Sequence, residues 1–528
     1  MRDFQLPGRS TAHACGGMAA TSHPRATLAA LDMLRAGGNA VDAAIAAAAV
    51  QAVVEPQSTG IGGDCFALFA PASGGVVAVN GSGWAPAAAS LERLRDLGID
   101  RLTADSVHSV TIPGAIAAWE LLLREHGRLD LATVLAPAIA CAAEGFPVFP
   151  RVAFDWARLQ DRLLANETAR RVYLPGGRAP ECGRVMRFPA LARTLEKIAG
   201  GGAEVFYRGE LAARMTASLR ALGGLHEIRD FAEYEAEFVE PVHGTYRDLR
   251  IYQCPPNGQG LITLLMLNIL EDFDLASLDP HGAERFHLEA EATRLAFRDR
   301  DAFLADPRRA AVPVRALLDK AYAARLRRLI DPARALCDLP PPLLRGQGNT
   351  VYIAVVDGER NACSFINSLY DGFGSGLVCP ETGVLFHCRG RAFRLDPDHP
   401  NGIAPRKRPM HTIIPALAFR GGDLWACFGV MGADYQPVGH VHLLTNLVDY
   451  GMDPQEALDS PRVMAYPADL RVERGVAPAV REALAARGHR VVEAEEPLGG
   501  GQCILVDHRR GVLVGGSDPR KDGIALGL

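Results

Sequence analysis

The sequence predicts an α+β fold, from two contrasting textures and the break between them. Residues 105–335 carry mostly helical spacing, whereas from Thr350 onward short apolar runs separated by turn residues predict strands. The break falls in Pro340-Pro-Pro-Leu-Leu-Arg-Gly-Gln-Gly-Asn349, the clearest boundary in the chain. With 528 residues, 48% hydrophobic and 22% charged, the chain has the composition of a soluble globular protein. Its length suits two or three conventional domains or one unusually large one.

The elements follow in order. Ser22-His-Pro24 has helix-start chemistry, residues 25–36 have amphipathic spacing, Gly37-Gly38 stops the helix and Asn39 caps the next. Residues 40–54 are Ala-rich, too short to span a membrane and interrupted by Asp42, so a buried helix is expected. The glycine-rich loop Gly60-Ile-Gly62-Gly63 precedes two strands, 66–69 and 76–79, joined by Ser73-Gly74-Gly75. Helices are predicted over 115–125, 131–144, 189–199, 209–222, 283–303 and 314–330. A hairpin follows over 350–357 and 362–368, turning at Asp357-Gly358. Further strands are predicted over 383–386, 413–419, 424–428, 503–506 and 511–514.

Composition excludes several functions. Net charge is −5 and no basic patch stands out, so no nucleic-acid partner is expected. Lysine occurs only at 197, 320, 407 and 521, the other 52 cations being arginine, as a GC-rich genome would produce. The cysteines lack CxxC pairs and finger spacing, which removes a zinc cage and a disulfide framework. His440-Val-His442 has no third ligand at useful spacing, so neither a metal nor any other cofactor is expected. The N-terminus has no apolar secretory region; a cytoplasmic protein without a membrane segment is the expectation. The glycine loop is not a dinucleotide fingerprint, because Cys65 stands where the third glycine belongs. Cys65 itself fits a buried structural thiol better than a nucleophile.

Two places offer chemistry. Thr350 opens the run Thr350-Val-Tyr-Ile-Ala-Val-Val-Asp357. If the chain is cut between Asn349 and Thr350, one residue supplies both a hydroxyl nucleophile and an α-amine base. That amine titrates near pH 8, close to the working range. A threonine opening a strand is also ordinary β-propensity, so the pattern alone decides nothing. In Gly429-Val-Met-Gly432-Ala433-Asp434, small residues at a strand end can turn backbone N–H groups toward a ligand, or simply make a tight turn.

Many separate motifs, in order from about Gly17 to near the C-terminus, resemble the γ-glutamyltranspeptidase family. They include Gly17-Met-Ala-Ala-Thr-Ser-His-Pro24, Gly37-Gly-Asn-Ala-Val-Asp-Ala-Ala44, Val54-Glu-Pro56, Gly60-Ile-Gly-Gly63, Phe206-Tyr-Arg-Gly209 and Tyr246-Arg247. They continue with Pro255-Pro256, Phe373-Gly374, Gly383-Val-Leu-Phe386 and Lys407-Arg-Pro409. The resemblance implies an N-terminal nucleophile (Ntn) hydrolase, a four-layer αββα sandwich. It implies self-cleavage into a large subunit, 1–349, and a small one, 350–528, both parts of one αββα domain. A dimer of such heterodimers is left open. By the same matching Thr350 is the nucleophile, Ser368 its hydrogen-bonding support, and Gly432 and Ala433 the oxyanion hole.

Departures from the family bear on the substrate. Ser82 stands where the glutamyl enzymes have the arginine that holds the α-carboxylate. His387-Cys-Arg389-Gly-Arg391-Ala392-Phe393 replaces the segment whose acidic residues hold the α-ammonium, and Tyr370 replaces an asparagine of the same pocket. Arg389 in place of a carboxylate repels an α-ammonium and suits an anion, unless an internal salt bridge takes it up. The substrate-binding set implied is Arg389, Tyr370, Ser82, His387 and Arg391. Together with the opening Asp3–Ser10 and Gly62-Gly-Asp-Cys65, these departures resemble the oxamate amidohydrolase branch most, which makes a small anionic amide, oxamate above all, the expected substrate in purine-ring catabolism. The alternatives are a γ-glutamyltransferase or glutathione hydrolase, a glutaryl-type cephalosporin acylase, and an unprocessed binding protein.

Overall fold

The computed structural model describes residues 5, 8–336 and 348–528, with Gly348 and Asn349 described by backbone only. The expected Pro/Gly-rich segment therefore lies outside the described residues up to 347. Two seven-stranded sheets form the centre, antiparallel throughout. The first runs Ala12–Ala14, Val512–Ser517, Gly500–Asp507, Asp423–Met431, Ala416–Arg420, Leu249–Gln253, Val242–Tyr246. The second runs Ile524–Gly527, Gly17–Thr21, Gly348–Asp357, Ala362–Asp371, Asp64–Ala70, Val77–Gly81, Glu237–Val239. Both sheets mix strands from either side of residue 350, so neither stretch of chain builds its own core.

Strand alternation sets the layers. Tyr352, Ala354 and Val356 join Phe66, Leu68, Ile366, Leu417, Met431 and Ile504 in the core between the sheets. Their neighbours Ile353, Val355, Cys65 and Ala67 face the other way, into a helical core. That outer layer is centred on Ala40–Val54, buried at every residue, which packs on the Gly348–Asp357 strand. Its alanines permit close approach, and Asn39 and Asp42 complete a reciprocal capping box at its start. Helices Gly260–Leu270, Ala283–Phe303 and Tyr435–Val448 cover the first sheet. The result is the expected αββα sandwich.

Leu131–Glu144 and Ala283–Phe303 occur as predicted. The helix predicted over 314–330 is instead two, Val314–Leu317 and Lys320–Arg327, because Asp319 caps the second from its side chain. The helix-patterned region also holds three strands between 237 and 253, where alternation is short and mixed with charge. Residues 383–386 form only isolated bridges, Gly62 to Phe386 and Val378 to Leu385. Tyr435–Val448 was not anticipated: it is buried on nearly all sides and shows no amphipathic period. Among the described residues no helix is long and apolar enough to cross a membrane.

Candidate active site

Thr350, Ser368 and Asp64 form one row across three adjacent strands, Thr350 opposite Ser368 and Ser368 opposite Asp64. The row continues the inter-sheet face of Tyr352, Ile366 and Phe66, so three polar side chains replace apolar ones where the sheets part. Thr350 Oγ1 lies 3.0 Å from Ser368 Oγ, and both residues are buried. Between the pairs Gly348–Asp371 and Thr350–Ser368 one strand advances two residues and the other three. Tyr370 takes up the extra residue at φ 78°, and its N–H donates to Ser368 Oγ at 2.9 Å. A left-handed tyrosine costs about 1–3 kcal/mol. The bulge thus fixes the Ser368 hydroxyl beside Thr350. The Gly60–Gly63 loop backs this row: a Cβ at Gly63 would stand 2.2 Å from the Ser368 carbonyl oxygen. Close backbone approach accounts for Gly62 and Gly63, since a Cβ at Gly62 would stand 2.2 Å from the Leu385 carbonyl oxygen.

The facing sheet supplies donors. Strand Asp423–Met431 ends in Gly432 at φ 121° and Ala433 at φ 48°, and helix Tyr435–Val448 follows. The carbonyls of Gly432 and Ala433 accept from Tyr435 N (2.9 Å) and Gln436 N (3.2 Å). Gln259 Nε2 and the Arg300–Asp434 ion pair hold the same turn from behind. Among the described residues, the N–H groups of Gly432 and Ala433 meet no acceptor. Gly432 lines the same cleft as Thr350. Only glycine fits there, since a Cβ would meet Gly499 Cα at 2.8 Å. Two unpaired donors at the start of a helix, opposite a hydroxyl, can stabilise an oxyanion.

Beside the row sits a cluster whose charges are all partnered. Arg389 donates from Nε to Asp64 Oδ2 (2.8 Å) and from Nη2 to Asp64 Oδ1 (3.1 Å), and its Nη1 donates to Thr412 Oγ1 (2.9 Å). Its guanidinium also stacks over the Tyr370 ring at 4.2 Å. Arg389 and Asp64 have no exposed side-chain surface. The fork expected to face a ligand faces Asp64, because a guanidinium without solvent needs a carboxylate. Burial alone would raise the Asp64 carboxyl, but Arg389 and His411 hold it well below the usual range. Burial and Arg389 lower His411 to about 4, so it is neutral at pH 7. Its Nε2 stands 2.8 Å from Asp64 Oδ2 but off the hydrogen-bonding direction.

His387 joins the cluster, with Nδ1 3.2 Å from Asp64 Oδ2 and Nε2 2.9 Å from the Thr111 carbonyl. Ser82 is buried nearby: its hydroxyl accepts from Asn257 Nδ2 (3.0 Å) and its N–H donates to Asn80 Oδ1. Arg391 stands apart: it pairs with Asp371 and lines a second cavity with Arg101, Arg158 and Arg162. Cys65 points into the helical core, where burial pushes its thiol well up.

His440 and His442 do not converge: His440 meets Gln253, His442 meets Glu289. Among the described residues, His287, Glu291 and His489 could hold a metal. Their hydrogen bonds describe a closed chain without one. Arg294 donates to His489 Nδ1 (3.2 Å), so the proton is on His489 Nε2, which donates to His287 Nδ1 (2.7 Å). His287 Nε2 then donates to the Asp331 carbonyl (2.8 Å).

The cleft holding Thr350 is also lined by Arg151, Arg471 and Lys521, cations that sequence reading did not single out, and by Glu495 and Glu496. They come from four distant stretches of chain with no shared motif.

Comparison with known proteins gives the family. The family model described as Gamma-glutamyltranspeptidase matches residues 26–528. The chain is 37% identical over 524 residues to the Glutathione hydrolase-like YwrD proenzyme of Bacillus subtilis (strain 168), covering 97% of this chain and 98% of that one. It is 36% identical over 526 residues to the Oxamate amidohydrolase proenzyme of Klebsiella pneumoniae subsp. pneumoniae, with 97% and 98% covered. The crystal structure of a cephalosporin acylase from Bacillus halodurans matches with TM-score 0.93 at 40% identity, covering 100% of this chain and 99% of that chain. The chain belongs to the γ-glutamyltranspeptidase family of self-processing Ntn amidohydrolases.

Proposed function

We propose that the chain cleaves itself between Asn349 and Thr350 and then hydrolyses a small anionic amide, with oxamate as the best candidate. The observation that carries this reading is the Thr350 hydroxyl, 3.0 Å from Ser368 in a cleft it shares with Gly432 of the unpaired N–H pair. The freed α-amine of Thr350 takes the proton from its own hydroxyl, and the oxygen attacks the amide carbonyl. The oxyanion accepts from Gly432 N–H and Ala433 N–H. Collapse breaks the C–N bond, the amine proton passes to the leaving nitrogen and ammonia departs. Water, deprotonated by the same amine, opens the acyl ester and releases oxalate. Ser368 donates to the developing charge on the threonine oxygen.

Three cations around the cleft support an anionic substrate. Ser82, engaged with Asn257 and Asn80, offers no cation for a glutamyl α-carboxylate, and Arg389, closed on Asp64, offers no carboxylate for an α-ammonium. The relative named as an oxamate amidohydrolase adds weight; those named as glutathione hydrolase-like and cephalosporin acylase define the rivals. Intact mass and N-terminal sequencing test processing: two fragments are expected, the smaller starting Thr-Val-Tyr-Ile. Ammonia release from oxamate, set against p-nitroaniline release from a γ-glutamyl anilide, tests the substrate. A wild type that prefers the γ-glutamyl compound overturns the substrate reading.

A further inference from the structure

We propose that Lys521 is the residue that receives the substrate's anionic group in the Thr350 cleft. The inference rests on the anionic-amide reading and names the cation. Lys521 is one of four lysines in a chain whose other 52 cations are arginine. The other three each place the ammonium on an oxygen: Lys197 on Glu210, Lys320 on Glu271 and the Thr245 carbonyl, Lys407 on the Pro400 carbonyl. Lys521 Nζ makes no hydrogen bond among the described residues, although its side chain is 5% exposed.

The buried carboxylates near it are engaged elsewhere. Asp155, the nearest at 3.9 Å, accepts from Arg151 Nε on both oxygens at 2.9 Å. Asp518 accepts from Arg462 and from Gly501 N. Glu55 accepts from Ser22 (2.6 Å) and Gln51 (3.0 Å), and burial, offset in part by Ser22 and Lys521, pushes it up to about 7. At the rim, Glu496 pairs with Arg158, and Glu495 is exposed. Arg151 leaves one terminal nitrogen without a hydrogen bond among the described residues, beside Lys521.

The stem of Lys521 is fixed where it can serve the reaction. A Cβ at Gly500 would stand 2.8 Å from its Cγ and Cε, so the lysine lies along the Gly500 backbone. Gly500 pairs with Met431, the residue before the oxyanion turn. Lys521, Thr350, Gly432 and Gly499 line one cleft. A nearly buried ammonium lacking a hydrogen bond is unfavourable by itself and gains a partner when an anion enters. An amide whose carboxylate adjoins the reacting carbonyl brings that anion close to both groups.

Kinetics of the processed enzyme on oxamate and on its neutral analogue oxamide test this, in wild type, Lys521→Met and Asp155→Asn. Wild type should prefer oxamate. Lys521→Met should raise KM for oxamate about tenfold or more, change kcat little, and leave oxamide unaffected. Asp155→Asn, which removes the competing carboxylate, should lower KM for oxamate. No change in Lys521→Met, or an equal change on both amides, overturns the role of Lys521 and leaves the substrate reading standing. A wild type indifferent to substrate charge overturns both. If Lys521→Met does not mature, an unchanged or raised oxamate KM in Asp155→Asn overturns the proposal.

Discussion

Two neighbouring regions of the site treat polar groups in opposite ways. In the Asp64 cluster, every charge has its partner inside the protein: both oxygens of Asp64 and all three nitrogens of Arg389 are engaged. At the Thr350 cleft, the Gly432 N–H, the neighbouring Ala433 N–H and the Lys521 ammonium lack hydrogen bonds among the described residues. Single open atoms occur elsewhere, His411 Nε2 and Arg300 Nη2 among them, but open donors gathered around one nucleophilic hydroxyl offer an anion several partners at once. The contrast assigns the open groups to chemistry and the closed ones to shaping the pocket, Arg389 among them.

The sharpest attempt to break that contrast is Thr350→Ala. It should remain one polypeptide on a denaturing gel and lose at least about 10⁴-fold in amide hydrolysis. Two fragments from the variant would place the cleaving nucleophile elsewhere.

Arg389→Ala comes next. It leaves Asp64 buried and unpaired, which typically costs about 3–5 kcal/mol, so thermal unfolding should move down by several degrees. If Tm holds while KM for anionic amides alone rises, Arg389 is a substrate clamp and the contrast fails.

Ser368→Ala, in processed protein, removes one hydrogen bond to a developing charge. A loss of about 1.5–3 kcal/mol, roughly ten- to a hundredfold in kcat, is expected with the fold intact. A variant as inactive as Thr350→Ala would make Ser368 more than a support.

Acid sharpens the comparison from the closed side. His411 is held at about 4, so its stability contribution is present above the unfolded value near 6.5 and lost as pH falls toward 4. Asp64 is depressed, so its contribution is present above about pH 4 and lost as pH falls below it. The signs agree. Unfolding free energy should decline from about pH 6.5 and more steeply below 4, and a chemical-denaturation series over pH measures it. Asp64→Asn should flatten the lower limb.

The smallest effect belongs to Ala433→Gly. The N–H group is kept and the φ of 48° becomes unstrained, while the unfolded chain gains freedom. Activity should be preserved, with stability changed by less than about 1 kcal/mol. A large loss of rate would show that the Ala433 methyl, and not only its N–H, shapes the hole.

Much of this was legible in one sequence. The alternation Thr350-Tyr352-Ala354-Val356 places Thr350 on the inter-sheet face, and Asn39 before Ala40–Val54 announces a capped helix. The small residues after Met431 mark a strand end whose N–H groups can turn outward. These signals are local: strand period, caps and left-handed turns are properties of adjacent residues, and the family motifs carried the layer architecture with them.

What tertiary structure alone decided was the pairing of charge. Arg389 meets a carboxylate 325 positions away, and no local pattern says that Asp64 shares its face with Ser368 and takes up that fork. Lys521 and Arg151 reach one cleft from distant parts of the chain. Electrostatic partners are chosen by distance in space and by loss of solvent, and only the packed layers set either.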